Sequence, residues 1–229
     1  MSEERHGTEL DQSGGSFYGW RRGWPLPDLV TRPGGEVSIE TTPAVELLAH
    51  LAALPESEVA RRLNEGHHIF LLRVDGQPAA YGWSATGPAD IGGLALSFVV
   101  PRGERYLWDF VTLPAYRGRG LYPLLLQEIL RRQAGEAEWF WIGHEPHNQA
   151  SRRGILKAGF RLAGGIRRLR GGELAFSGAP GVDPELTHLA ARALGLKHLH
   201  RRPDQTHPPT THAAEASDRS ARTSPKQAR

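Results

Sequence analysis

Apolar and polar residues alternate through Glu36–Thr41 (EVSIET), the two-residue period of a strand with one covered face. From Pro43 the period lengthens. Leu47, Leu48 and Leu51 fall on one stripe, which predicts a helix over Pro43–Ala53, and a second helix follows over Glu56–Asn64. His68–Val74 and Pro78–Ala85 are strand-like runs joined at Asp75-Gly76, a tight-hairpin dipeptide. Arg105–Leu113 (RYLWDFVTL) is apolar on both faces, as a strand covered on both sides must be. Leu121–Arg132 predicts a helix with Leu121, Leu124, Leu125 and Ile129 inward and Pro123 tolerated in its first turn. Trp139–Gly143 reads as a buried strand and Asn148–Ala158 as a helix. Gly159-Phe160 opens a further strand to Arg168, and Glu173–Ser177 pairs back after the Gly171-Gly172 turn. The order β-α-α-β-β-β-α-β-α-β-β predicts a mixed α/β (α+β) sheet without the regular βα repeat of a doubly wound fold.

The two ends differ from this middle. Residues 1–30 are Gly-rich and polar but carry Phe17, Tyr18, Trp20 and Trp24, and are expected to be an arm that docks on a domain spanning 31–178. Residues 179–202 are expected to be a Gly/Pro hinge and one short helix over Pro184–His200, with Leu186, Leu189, Ala190 and Leu194 at helical spacing. Residues 203–229 contain no Val, Ile, Leu, Met, Phe, Trp or Tyr, so they have nothing to bury against the entropy of ordering and are expected to be a disordered tail.

Composition narrows the classes. The absence of cysteine excludes disulfides, a thiol nucleophile and thiolate metal sites. No apolar run approaches the ~20 residues that cross a bilayer, and the polar, acidic start lacks a secretory h-region, so a cytoplasmic protein with no membrane partner is expected. The net charge of +3 sits wholly in residues 180–229, with eight basic and five acidic residues. The remainder sums to zero, so nucleic acid is not an expected partner. The tail histidines His198, His200, His207 and His212 are irregularly spaced, and no metal site is expected.

The chemistry concentrates in Thr112–Pro123 (TLPAYRGRGLYP). A buried strand runs through proline into an Arg/Gly turn that opens a helix. Glycines let backbone curl closely around a ligand. The first-turn amides of a helix lack internal partners and, with the helix dipole, favour a pyrophosphate. Arg117 and Arg119 add candidate charge-assisted bonds. The same pattern also fits an ordinary strand–turn–helix corner. A second segment, Asn148–Phe160, has an N-cap residue at its start and Gly159 where a left-handed C-cap belongs.

Together these segments resemble the GNAT superfamily of N-acyltransferases. The first matches (Q/R)-x-x-G-x-(G/A) through Arg117, Gly118-Arg119 and Gly120. The second matches N-x-x-(A/S) followed by K-x-G-F through Asn148, Ser151, Lys157, Gly159 and Phe160. The resemblance covers about residues 36–177. It implies a mostly antiparallel sheet with a central, splayed parallel strand pair flanked by helices, and acetyl-CoA or another acyl-CoA as co-substrate. The pantetheine arm would pair with Phe110, Val111 and Thr112, where a strand bulge frees amides for the thioester carbonyl. The pyrophosphate would lie on Arg117, Gly118, Arg119, Gly120, Leu121 and Tyr122, and Asn148 and Ser151 would face the arm across the cleft. Two departures stand out: a bulky Tyr122 at the helix start, and Ile155 where many members carry a tyrosine acid.

The implied reaction is attack of an amine on the thioester. An alkyl amine, with a pKa near ~10, must first lose a proton. Asp109, between Trp108 and Phe110, is the first candidate base, and Glu145, beside His144 past the next strand, the second. Tyr116 and Tyr122 are candidate thiolate acids. The expected acceptor is a small-molecule or protein amine, and the chain is expected to be a monomer or homodimer. A non-catalytic acyl-CoA-binding domain is the alternative.

Overall fold

The computed structural model describes residues 11–199, with side chains from residue 14 on. Residues 1–10 of the expected arm and the expected tail at 203–229 lie outside the described residues. Eleven strands and five helices follow in chain order: β1 (Asp11–Arg21), β2 (Val37–Glu40), α1 (Val45–Ala52), α2 (Glu56–Asn64), β3 (His68–Val74), β4 (Gln77–Ala85), β5 (Pro88–Ile91), β6 (Leu96–Val99), β7 (Glu104–Thr112), α3 (Leu121–Gln133), β8 (Trp139–His144), α4 (Gln149–Lys157), β9 (Arg161–Arg168), β10 (Leu174–Ser177), α5 (Pro184–Ala193) and β11 (Lys197–Leu199).

Nine strands form one sheet in the order β11-β10-β9-β1-β8-β7-β4-β3-β2, and β5–β6 is a separate hairpin. Pairing is antiparallel except for β7–β8 at the centre and β10–β11 at the edge. The expected mixed sheet with a central parallel pair is therefore present.

Three elements differ from the sequence reading. Residues 11–21 are a strand between β8 and β9, in the interior of the sheet. Its consecutive Phe17 and Tyr18 are both buried, on opposite faces, so the segment shows no alternation. The last helix stops at Ala193 instead of reaching His200. Gly195 takes a left-handed φ of 65°, and the chain turns into β11, parallel to β10. Between Ala85 and Arg105, where the sequence pattern predicts no element, lies the β5–β6 hairpin.

Helices α3 and α4 cover one face of the sheet, over Tyr18, Leu107, Phe140, Ile142, Ile155 and Phe160. Helix α5 and the β5–β6 hairpin cover the other, over Phe17, Tyr106, Trp141 and Phe176. Helices α1 and α2 pack on the outer strands through Leu48, Val59, Leu71 and Trp83. With both faces covered, the central strands are apolar on both sides, as the sequence of β7 requires.

Candidate active site

The site begins where β7 and β8 part. They pair in register from Glu104↔Trp139 to Leu107↔Ile142 and no further, although β7 runs on to Thr112 and β8 to His144. On its other edge β7 carries a bulge against β4. Tyr81 pairs with Val111 and Trp83 with Trp108, so Asp109 and Phe110 together oppose Gly82. Asp109 takes a left-handed φ of 51°, a conformation that aspartate tolerates better than most residues. The Phe110 ring lies over Gly82, where a Cβ would fall 2.1 Å from Cε1.

After β7 the chain passes Pro114 into the Arg/Gly turn. Gly118 and Gly120 both have φ of 77°, and Gly120 is the N-cap of α3. The amides of Gly120, Leu121 and Tyr122 have no acceptor among the described residues, as first-turn donors do not. A Cβ on Gly118 would meet open space, whereas one on Gly120 would press on Val30 O at 3.1 Å and on Thr31. The second glycine thus makes room for the segment behind the turn, which is tied on by Arg32 N–H donating to Arg119 O at 3.0 Å.

A cleft of about 920 Å³ runs from this turn to the splay. It is lined by Asp109, Phe110, Val111, Thr112, Arg117, Gly118, Gly120, Leu121, Tyr122, Glu145, Asn148 and Ser151, which are the candidate bases and the candidate acyl-CoA-holding residues from the sequence with the exception of Arg119. Arg119 instead donates to Pro33 O (3.1 Å) and Ala115 O (2.9 Å), with its guanidinium over the Tyr116 ring. Arg117 donates to Thr112 O at 3.1 Å, which ties the turn to the strand end. A second cavity, about 610 Å³, lies on the α5 face. Phe17, Ile91, Tyr106 and Ile166 wall it, and it shares Gly143, His144 and Glu145 with the cleft. The two spaces therefore meet at the splay.

The acetyltransferase (GNAT) family profile matches residues 37–160, more than half of the chain and the whole of this cleft's lining. The chain belongs to the GNAT acetyltransferase family. No curated protein matches it by sequence. Solved structures similar to it include a GNAT-family acetyltransferase from Colwellia psychrerythraea, with 16% identity and a TM-score of 0.46 over 67% of this chain and 55% of that one. The ribosomal-protein-S18-alanine N-acetyltransferase of Escherichia coli has 19% identity and a TM-score of 0.43, over 55% and 78%. A predicted acetyltransferase from Clostridium acetobutylicum, solved with acetyl-CoA, has 14% identity and a TM-score of 0.40, over 55% and 90%. The chain spans 55% of the length of the Colwellia protein.

Within this GNAT domain the bulky Tyr122 finds its place. Its ring points across to α4, over Gly154, where a Cβ would fall 2.3 Å from Cδ1. Its hydroxyl is 3.2 Å from Ser151 Oγ, and its ring packs 5.4 Å from that of Phe110. Burial pushes the Tyr122 hydroxyl up to about 12, against a smaller opposing effect of the Ser151 bond, so it stays protonated at neutral pH. Asn148 caps α4 as expected, accepting from Ser151 N–H at 2.9 Å. Ile155 is fully buried under the sheet. Of the seven basic residues between Pro146 and Gly172, Arg153 and Lys157 line the cleft. Arg161 lies over Trp24, Arg167 donates to Ser177, and Arg168 donates to the carbonyls of Gly172 and Leu94.

Two groupings were not visible in the sequence. Arg62 of α2, 7% exposed, donates to Asp109 Oδ2 at 2.6 Å and to Glu58 Oε1 at 2.9 Å, with its guanidinium carbon 4.4 Å from the Trp108 ring centroid. The expected base is thus held by a buried cation 47 residues away in sequence. The bonds from Arg61 and Arg62 hold the Glu58 carboxyl down at about 2. The other grouping is Tyr18 of β1, whose hydroxyl lies 3.0 Å from Nε2 of His144. Arg62 falls inside an ordinary salt-bridging helix, and Tyr18 inside a segment without strand periodicity, so neither stood out.

Proposed function

We propose that this GNAT domain is a cytoplasmic acyl-CoA-dependent N-acyltransferase, in the first instance an acetyltransferase, acting on a small-molecule or protein amine. One observation carries the reading. The two left-handed glycines and the acceptor-less amides at the start of α3 form an open anion cradle at one end of a cleft whose other end is a strand splay with a bulge. A diphosphate on a long, strand-like arm fits such a shape, and the cleft's length of free β7 edge suits amide pairing of that arm.

Bound there, the acyl-CoA supplies an activated thioester. The protein does the rest. The amides from Gly118 to Tyr122 would hold the diphosphate, with Arg117, Arg153 and Lys157 adding positive charge. The exposed edge of Phe110–Thr112 would hold the arm, with Asn148 and Ser151 opposite. The bulge would turn an amide toward the carbonyl oxygen, where a preorganised donor stabilises developing negative charge. The 610 Å³ cavity would admit the acceptor from the opposite face, so that amine and thioester meet at Gly143–Glu145. Asp109 and Glu145 are the carboxylates lining the cleft among the described residues, and would draw in the ammonium form of the acceptor. Asp109 also fixes the bulge through Arg62.

The test mixes purified protein with acetyl-CoA and a panel of small amines and peptides, following free thiol release, alongside calorimetric titration of acetyl-CoA. Binding with turnover of some amine is the expected result. Binding without turnover across the panel turns the reading into that of an acyl-CoA-binding domain, and absence of binding ends both.

A further inference from the structure

We propose that His144 and Tyr18 form a proton relay at the junction of the two cavities, an inference that rests on the acyltransfer reading above. His144 Nδ1 lies 2.7 Å from the backbone carbonyl oxygen of Glu145. A carbonyl oxygen only accepts, so Nδ1 carries a proton and donates it. In the neutral imidazole that leaves Nε2 as an acceptor, and the Tyr18 hydroxyl, 3.0 Å away, donates to it. The backbone thus fixes the tautomer. The rings stack with centroids 5.5 Å apart and planes 29° apart, and Tyr18 is 2% exposed, so packing fixes the orientation.

The position gives this pair its use. Among the described residues, the cleft and the α5-side cavity share three lining residues, Gly143, His144 and Glu145. Of these, His144 alone carries both a proton donor and a proton acceptor on one ring. Its Nε2 lone pair is occupied by Tyr18, so protons reach it through the hydroxyl. The oxygen, beside His144 but not itself lining either cavity, takes a proton from the attacking nitrogen through one water as the hydroxyl proton passes to Nε2. The C–N bond forms, the C–S electron pair leaves on sulfur, and the relay runs in reverse to protonate the thiolate. One proton moves from a neutral amine to sulfur, and the protein ends as it began. A histidine and a tyrosine on neighbouring strands, but 126 residues apart in sequence, are brought together by the insertion of β1 beside β8.

The test compares His144→Gln, Tyr18→Phe and the double variant, using the best amine of the panel. Because both groups handle the same proton, each single variant is expected to lower kcat on the order of 100-fold. KM for acetyl-CoA is expected to stay within about twofold, and the double variant to be no slower than the worse single one. Nitrogen NMR of the wild-type imidazole is expected to show a protonated Nδ1 and an unprotonated Nε2 whose resonance moves in Tyr18→Phe. An unchanged kcat in either single variant, multiplying effects in the double, or a neutral ring protonated at Nε2 overturns the relay while leaving the acyltransferase standing. A wild-type protein that acylates nothing overturns the reading beneath it. If a variant does not fold, the ring spectrum of the wild type with and without acetyl-CoA decides: a fixed Nδ1–H tautomer whose Nε2 resonance responds to the co-substrate supports the relay, and an unresponsive ring overturns it.

Discussion

Along β7, Glu104–Leu107 and Trp108–Thr112 share one backbone but not one environment. The first four residues are buried and paired with β8, Tyr106 and Leu107 also with β4, and Glu104 is further fixed by Trp141 Nε1 at 2.6 Å and by Arg192. The last five are half-buried, bulged on one edge and unpaired on the other. Regular pairing consumes the backbone's donors and acceptors. Interrupting it at one defined place releases them toward a ligand while the adjoining, fully paired turn of strand keeps them aimed. Rigidity and availability are thus separated by a single peptide unit, between Leu107 and Trp108.

Substitutions on either side of that point should therefore behave differently. Beyond the unpaired end, Gly118→Glu places a carboxylate in open cleft space beside the cradle. Acetyl-CoA affinity is expected to fall on the order of 1000-fold by calorimetry, with only a few degrees' loss in Tm. In the paired end, Leu107→Ala empties a fully buried position. Stability is expected to drop by about 2–5 kcal/mol in denaturant unfolding, with acetyl-CoA affinity of the folded protein little changed. An equal loss of affinity would dissolve the distinction between the halves.

Asp109→Asn acts at the boundary itself. By weakening the grip of Arg62 on the bulge it is expected to lower acetyl-CoA affinity and turnover together, roughly 10-fold. A fall in turnover alone, at constant affinity, would make Asp109 the base. The smallest effect concerns the other partner of Arg62. Glu58 titrates at about 2 in the fold against 4.5 ordinarily, so its contribution to stability is complete above pH 4.5 and is lost as pH falls toward 2. The stability difference between pH 6 and pH 3 is expected to be smaller in Glu58→Gln than in the wild type, by denaturant midpoint.

Much of this was legible in the residues alone. The strand-turn-helix around Arg117–Tyr122 and the capped helix after Asn148 each depend on local signals, namely glycines, an N-cap and period, and they appear where those signals stand. The strand β1 was not legible, because burial on both faces removes alternation and its glycines read as arm. Nor was the partner of Asp109, because an arginine on an amphipathic helix carries no mark of what its far end touches. Nor was the direction of Arg119, whose guanidinium is claimed by two backbone carbonyls that the motif does not encode. Tyr122 looked like an obstruction to the cradle. Gly154, thirty-two positions later, lets the ring lie back on α4, and Gly82 does the same for Phe110.

The seat of β1 has a further consequence, for assembly. Its neighbours on either side are residues 139–144 and 161–168, so it cannot be hydrogen-bonded in place until both of those later segments have been made. Until then Phe17, Tyr18 and Trp20 have no interior to enter. Pairings between such distant segments slow folding and prolong the exposure of apolar residues. The nascent polypeptide therefore carries a sticky, unhoused segment until residues 161–168 have been made, and closing the gap between β8 and β9 joins the two halves of the sheet.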